Sequence, residues 1–338
     1  MKSKKSQVPG KNDDSLYNMH DKGYKYLLSS KKVFMELLRS FIKQGWVEMI
    51  DESSVICIDK SYILQDFSGK EADLVYRVKV KDKEVIFYIL MELQSTVDFQ
   101  MPYRLLLYMI EIWRDILKNM KKGEAERKVF RLPVVVPVVL YNGEGKWSAC
   151  RRYRETLDGY ELFRDYVPDF KYILVDVNRI SKKRLLELSN LIGSVFLLDQ
   201  KTDIHELQRR IKELLGVSRK LTQEQFQMLK TWMVNILVRG LPEGIKEDVT
   251  RLIESSEEAE SMVYNMEKTL KEAIMESEIK GRQEGKQEGI LEGRQKGRQE
   301  GRQEGILETA KNFIKQGVSL DIIAKATGLS KGELAQLS

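Results

Sequence analysis

Asp73, in EADLVYRV, and Glu92, in ILMELQS, are two carboxylates spaced so that they could hold a cation. If Asp82-Lys83 is the loop of a β-hairpin, antiparallel partners have residue numbers summing to 165, which sets Asp73 directly opposite Glu92. Cross-strand Cβ atoms on one face lie about 4.5 to 5.5 Å apart, where like charges repel unless a cation lies between them. Gln94, two residues beyond Glu92, falls on the same face if the strand continues. Carboxylates, a backbone carbonyl and water form the oxygen set that Mg²⁺ prefers. Two acids near strand ends are equally compatible with plain solvation, and Asp-Lys is not a favoured two-residue turn. The pair alone therefore leaves both readings open.

The rest of the composition narrows the chemistry from outside. The 338 residues contain two His, His20 and His205, and two Cys, Cys57 and Cys150. A His-rich zinc centre cannot be built from these, and a Ser-His-Asp relay would rest on one isolated imidazole. Any metal is expected to be held by oxygen. Two cysteines without zinc-ligand spacing make no disulfide framework, so a reducing cytoplasm is the expected compartment. The longest mostly apolar run, Leu132 to Tyr141, is about half of the roughly 20 residues a membrane helix needs, so no membrane association is expected. No G-x-x-x-x-G-K-[ST] loop is present, so no nucleotide cofactor is indicated.

Gln100, Arg104 and Tyr108 recur at four-residue spacing on the next helical segment and share a face. Arg104 has the planar fork that holds phosphate bidentately, and its two neighbours could line the same cleft; a polar seam on a core helix fits the spacing as well. Net charge is +6, from 57 Lys and Arg against 51 Asp and Glu. Between Lys118 and Arg154 ten basic residues face three acidic ones, so this window alone is +7 on a nearly neutral remainder. Lys121, Lys122, Lys128, Arg131, Arg151 and Arg152 are its candidates for sequence-independent phosphate contacts, although basic residues are also ordinary surface residues.

The elements that must position these residues follow from periodicity. Apolar residues from Leu27 to Ile42 recur every three or four, predicting a helix over about His20 to Gln44. Short runs rich in Val, Ile and Tyr predict strands at about Val55 to Asp59, Ala72 to Val80 and Val85 to Glu92. Helical period returns from Phe99 to Leu117. Leu132 to Leu140 reads as a strand whose Pro133 and Pro137 argue for an edge or a bulge, and Tyr172 to Val177 as one more strand. Beyond Ser181 the signals are helical. Glycine then recurs every four residues from Gly281 to Gly305, with basic and acidic columns between. This repeat fits either a self-associating helix with a glycine groove or a flexible charged linker. A helix to Gln316, the turn at Gly317, a helix from Ser319 to Thr327 and a last helix capped by Ser330 give a helix-turn-helix-like end, a shape used both for DNA contact and for plain packing.

Several ordered segments, HDKGYKYLLSSKKVFMELL, ADLVYRV, MELQSTVDFQMPYRLLLYMIEIW and LPVVVPVVLYNG, resemble the Rpn (recombination-promoting nuclease) family, also described as YhgA-like putative transposases. The resemblance covers about Met19 to Val177, and the Gly repeat and the C-terminal end also look like that family. It implies an α/β fold with a PD-(D/E)XK nuclease-like core, in the order helix, three strands, helix, strand, with α-helical C-terminal appendages. It further implies that Asp73 and Glu92 ligate Mg²⁺ or Mn²⁺ together with the backbone carbonyl of Leu93. Gln94 stands in the position of the motif's Lys, and Glu36 is a candidate outer ligand. An amide cannot take up a proton near neutral pH, so Gln94 could orient water or phosphate but the general base stays unassigned.

The expected organisation is a flexible basic leader over 1–15, with no apolar stretch of a signal peptide behind it, and the nuclease-like domain over 16–180. A helical region over 181–280, the repeat over 281–305 as the site of homo-oligomer formation, and the small unit over 306–338 follow. The expected activity is metal-dependent hydrolysis of phosphodiester bonds in DNA, in recombination or mobile-element biology. A nuclease fold that has lost catalysis and serves as a DNA-binding or self-assembling scaffold is the alternative.

Overall fold

The computed structural model describes residues 11–58, 74–81, 83–92 and 97–337, without the side chains of 11–19 and 90–92. Asp73, Leu93 and Gln94 lie outside the described residues, as does most of the expected leader. By backbone contacts the chain divides into two units, 1–271 and 272–338.

Two helices, α1 (Lys11–Leu28) and α2 (Lys31–Phe41), replace the single predicted one, because the chain breaks at Ser29-Ser30. A five-stranded sheet follows: β1 (Ile50–Ile58), β2 (Leu74–Val80), β3 (Lys83–Glu92), β4 (Val134–Tyr141) and β5 (Ile173–Asp176), in the order β1-β2-β3-β4-β5. Strands β1, β2 and β3 are antiparallel, while β4 and β5 run parallel to β3. The parallel step from β3 to β4 needs a crossover, and α3 (Met101–Asn119) supplies it.

Two expectations need correction. Leu74 pairs with Ile89 and Val80 with Lys83, so paired positions sum to 163 and the loop is residues 81 and 82, one step earlier than Asp82-Lys83. Lys81 adopts the positive φ of 47° that a tight hairpin asks of its first loop residue. The register is locked because both faces are buried: Tyr76 with Phe87 on one side, Val75 with Tyr88 on the other. The proline-bearing run, in turn, is no edge but lies between β3 and β5. Strand β5 pairs only from Val138 onward, so at Pro137 the ladder is one-sided and a missing N–H leaves no gap toward β5.

Alternate residues divide between two cores. Tyr76, Val78, Phe87 and Ile89 join α2 and the later helices in one, where Phe34 stacks on Tyr76 at 3.9 Å. Val75, Ile86, Tyr88, Val139 and Tyr141 meet Leu105, Tyr108, Met109 and Ile112 of α3 in the other.

Behind the first core come α4 (Lys182–Leu188), α5 (Leu191–Asp199), α6 (Ile204–Glu213), α7 (Leu215–Ser218), α8 (Gln223–Trp232) and α9 (Glu243–Ser255). A turn of π-helix, Met233–Leu237, directly extends α8. Helix α5, LIGSVFLLD, is apolar on all sides and is correspondingly buried from Leu191 to Leu198. Helix α10 (Ala259–Lys315) begins in this unit, where Met262, Met266 and Leu270 complete the core.

In the second unit the Gly repeat is helical throughout, within α10, and exposed along 281–305. Helices α11 (Leu320–Thr327) and α12 (Lys331–Ala335) close a small core of Ala310, Ile323 and Leu334. Gly317 and Gly328 take the left-handed turns, and Ser330 caps α12 in a reciprocal box with Glu333. Among the described residues no helix is long and apolar enough to cross a membrane.

Candidate functional site

The chemistry gathers where β3, β4 and β5 end. Glu92, Tyr141 and Asp176 form one row across the three parallel strands, since Glu92 pairs with Tyr141 and Tyr141 with Asp176. Strand alternation puts position 92 on the side of Ile86 and Tyr88, which is the side covered by α3. The C-terminal ends of parallel strands are where open α/β sheets bind ligands.

Helix α3 starts at this edge. Asp98 accepts the Gln100 backbone N–H at 2.8 Å and also binds the Arg104 guanidinium one turn in. Gln100, at the cap position, is exposed, and Arg104 is half-buried. Tyr108 is buried and its ring stacks on Tyr88 at 4.8 Å between centroids. The structure thus sets Tyr108 against the sheet and Arg104 one turn before it, while Gln100 stays exposed ahead of the helix.

Beside them Tyr172 donates to the Cys150 carbonyl and accepts from Trp147 Nε1, both at 2.8 Å. Burial pushes its phenol up to about 12, against the Trp147 hydrogen bond and the Arg151 charge, which pull it down. Arg151 lies over the Tyr172 ring, 5.3 Å from its centroid, and Arg152 pairs with Asp169.

The basic window does not form one patch. Arg151 and Arg152 follow β4 and lie beside the start of β5, where Arg152 pairs with Lys171 and Arg151 covers Tyr172, several residues before the Asp176 end of that strand. Lys121, Lys122, Lys128 and Arg131 are exposed in the segment that enters β4, whose first residue Val134 pairs with Val85 at the start of β3. They therefore stand at the opposite edge, a helix of 19 residues away, about 28 Å at 1.5 Å per residue.

Glu36 is committed to another task. Its carboxylate accepts the Ile192 N–H at 3.4 Å and the Gln225 side-chain amide, sealing the N-terminus of α5. It sits on α2, in the layer that covers the other face of the sheet. Burial raises its pKa, while the hydrogen bonds from Ile192 and Gln225 and the charge of Lys32 oppose the shift.

Asp176 was not singled out by the sequence, where its only signal is an acid closing the apolar run ILV. Its Oδ1 is buried without a hydrogen-bond partner among the described residues. Desolvation raises its pKa, opposed by Arg179 and by the backbone N–H groups of Trp147 and Asn178. A carboxyl of this kind suits giving or taking a proton. Among the described residues no three His, Cys, Asp or Glu side chains converge as metal ligands.

The family model described as "Putative transposase, YhgA-like" matches residues 18–229. Recombination-promoting nuclease RpnD of Escherichia coli O157:H7 is 21% identical over 178 residues, 51% of this chain and 66% of that protein. Recombination-promoting nuclease RpnC of Escherichia coli (strain K12) is 26% identical over 125 residues, 37% of this chain and 39% of that protein. The matches thus span less than two thirds of either curated relative. No solved structure matches.

Proposed function

Because the chain belongs to the family described as "Putative transposase, YhgA-like", with relatives named recombination-promoting nucleases, we propose that it is a metal-dependent DNA endonuclease acting in recombination. The observation that carries this reading is the place of Glu92, at the C-terminal end of a central strand where the sheet changes from antiparallel to parallel pairing, on the face closed by α3. The order of two helices, three antiparallel strands, a helix and a parallel strand fits a PD-(D/E)XK-type core.

In this proposal Asp73, Glu92 and the Leu93 carbonyl hold Mg²⁺ or Mn²⁺. The described ladder begins at Leu74 paired with Ile89, and Asp73 directly precedes it in the chain. When bound, the cation supplies Lewis-acid activation of water and neutralises charge on the phosphate. The oxygen-rich edge fits it, since Asp176 adds a buried carboxylate oxygen that has no partner among the described residues. Gln94 orients water or phosphate, and Asp176 is the nearest described group suited to carry the proton that Gln94 cannot. Arg104, with Gln100 and Tyr108, grips the phosphate backbone beside the scissile bond. Arg151 and Arg152 extend that contact, and Lys121, Lys122, Lys128 and Arg131 meet a flank of the duplex. Residues 281–305 assemble copies of the chain. Cys57 and Cys150, which form no disulfide, suit the reducing cytoplasm we propose as its compartment.

The test is nicking of supercoiled plasmid by the full chain with Mg²⁺ or Mn²⁺, with and without chelator. Cleavage should require the metal and disappear in Asp73→Ala and Glu92→Ala. Unchanged cleavage by Asp73→Ala would sink the assignment, and binding without any cleavage would favour the scaffold reading that Gln94 invites.

A further inference from the structure

On the other side of the sheet, beside the segments that follow β4 and β5, α1, the end of α5 and the π-helical turn after α8 line a half-open cavity of about 180 Å³. Gly23 makes the enclosure possible. A Cβ there would stand 2.9 Å from Ile236 Cγ1 and 3.3 Å from Trp232 Cδ1, so only glycine lets α1 lie this close to the π turn. His20 and Tyr24, three residues before and one after, share that helix face and reach Asp199.

The walls have a definite polarity. Leu198, Leu207, Ile236 and Leu237 give the cavity an apolar floor. Asp199 is buried, and its Oδ2 accepts from the Tyr24 hydroxyl at 2.7 Å and from Asn142 Nδ2 at 2.8 Å. His20 Nδ1 faces its Oδ1 at 3.4 Å. The carboxylate is therefore already answered within the fold, and the imidazole is aligned with its other nitrogen turned away.

What is left over are donors. Trp232 is 1% exposed and forms part of the wall, but its Nε1–H, which has no partner among the described residues, is closed off from the cavity. Arg239, on the rim, makes no hydrogen bond or ion pair among the described residues. Single π turns inside α-helices recur at functional sites, and this one sets Trp232 and Arg239 on the same cavity.

We infer that this cavity binds a small organic acid, its oxyanion held by Arg239 and His20 and its apolar body on the leucine and isoleucine floor. The size agrees, since a dry cavity of roughly 150 Å³ takes one benzene ring. A bare inorganic anion would satisfy the donors but leave the apolar floor without a partner, and a neutral amide would forgo the guanidinium.

Calorimetric titration of the full chain with benzoate, benzamide and inorganic phosphate tests this. Benzoate should bind at least tenfold more tightly than either of the others. Arg239→Gln should weaken benzoate binding at least fivefold, while Asp73→Ala should leave it unchanged, because Asp73 is not among the residues that line the cavity. Arg239 is exposed, so its variant should keep the wild-type melting temperature without benzoate and lose only the rise that benzoate produces. Equal binding of benzamide or phosphate, equal binding by wild type and Arg239→Gln, or no binding of benzoate at all would each overturn the inference.

Discussion

Arg104 is held by the carboxylate of Asp98, which also accepts the Gln100 N–H just ahead of α3. The proposed phosphate-gripping guanidinium thus has an internal competitor. Phosphate must displace or share Asp98, so the two residues should have opposite effects on DNA affinity. Arg104→Ala should weaken binding by about 1 to 3 kcal/mol and lower the salt slope by about one. Asp98→Asn should strengthen binding severalfold, because the amide oxygen can still accept the Gln100 N–H but no longer holds the guanidinium with a charge. Fluorescence anisotropy across a salt series reads both, and effects of the same sign would remove Arg104 from the phosphate contacts.

Glu36 should be visible in the pH dependence of folding. Burial raises its pKa in the folded chain above the ordinary carboxylate value. The folded state therefore favours the protonated form. Its contribution is fully present below the unfolded value, falls as pH rises through the raised folded value, and is lost above it. Urea unfolding of Glu36→Gln, measured from acid to neutral pH, should lack this part of the decline. Identical slopes for the two proteins would mean that the carboxylate does not titrate with folding.

The sheet was legible because alternation and β-branched runs report strands directly, and the caps at Gly317, Gly328 and Ser330 carry their own local chemistry. The register was not. It depends on which two residues form the loop, and Lys81 with its positive φ is an unobtrusive choice. The position of β4 was hidden for a related reason. A proline argues against an interior strand only where both sides are laddered, and Pro137 falls one residue before β5 begins. The basic window looked continuous in the chain because sequence distance does not report that α3 and β4 each cross the whole sheet. Asp176 and the Asp199–His20 pair join residues far apart in sequence, which no spacing rule connects.

Gly143 should be intolerant of a side chain for a reason tied to the strand-end row. A Cβ there would fall 2.2 Å from Tyr141 Oη and 2.4 Å from its Cζ, and that hydroxyl donates to the Gly145 carbonyl at 2.9 Å. The Tyr141 ring is boxed in by Trp147, 4.9 Å away between centroids, so it cannot yield freely. Gly143→Ala should cost about 1 to 3 kcal/mol of stability by overpacking. Tyr141→Phe in the same background should recover part of it, because the phenolic oxygen is the closest atom. Denaturant midpoints of the single and double variants decide this, and additive losses would show that the ring is not what the methyl meets.

The glycines of the repeat pose the converse case. At Gly281, Gly285, Gly289, Gly293, Gly297, Gly301 and Gly305 a Cβ would meet nothing within 4 Å in the chain. Nothing inside the protein explains them, yet each weakens the helix by about 1 kcal/mol relative to Ala. Their recurrence every four residues on a helix of 3.6 per turn traces a groove that winds slowly around α10. If the groove exists to let a second copy approach, substitution must stabilise the isolated helix and disable assembly together. The triple variant Gly289→Ala, Gly293→Ala and Gly297→Ala should raise the helical signal of the tail on heating by an amount consistent with about 3 kcal/mol. The same variant should lower the molar mass measured by light scattering. A higher helix stability at unchanged mass would assign the glycines to something other than self-association.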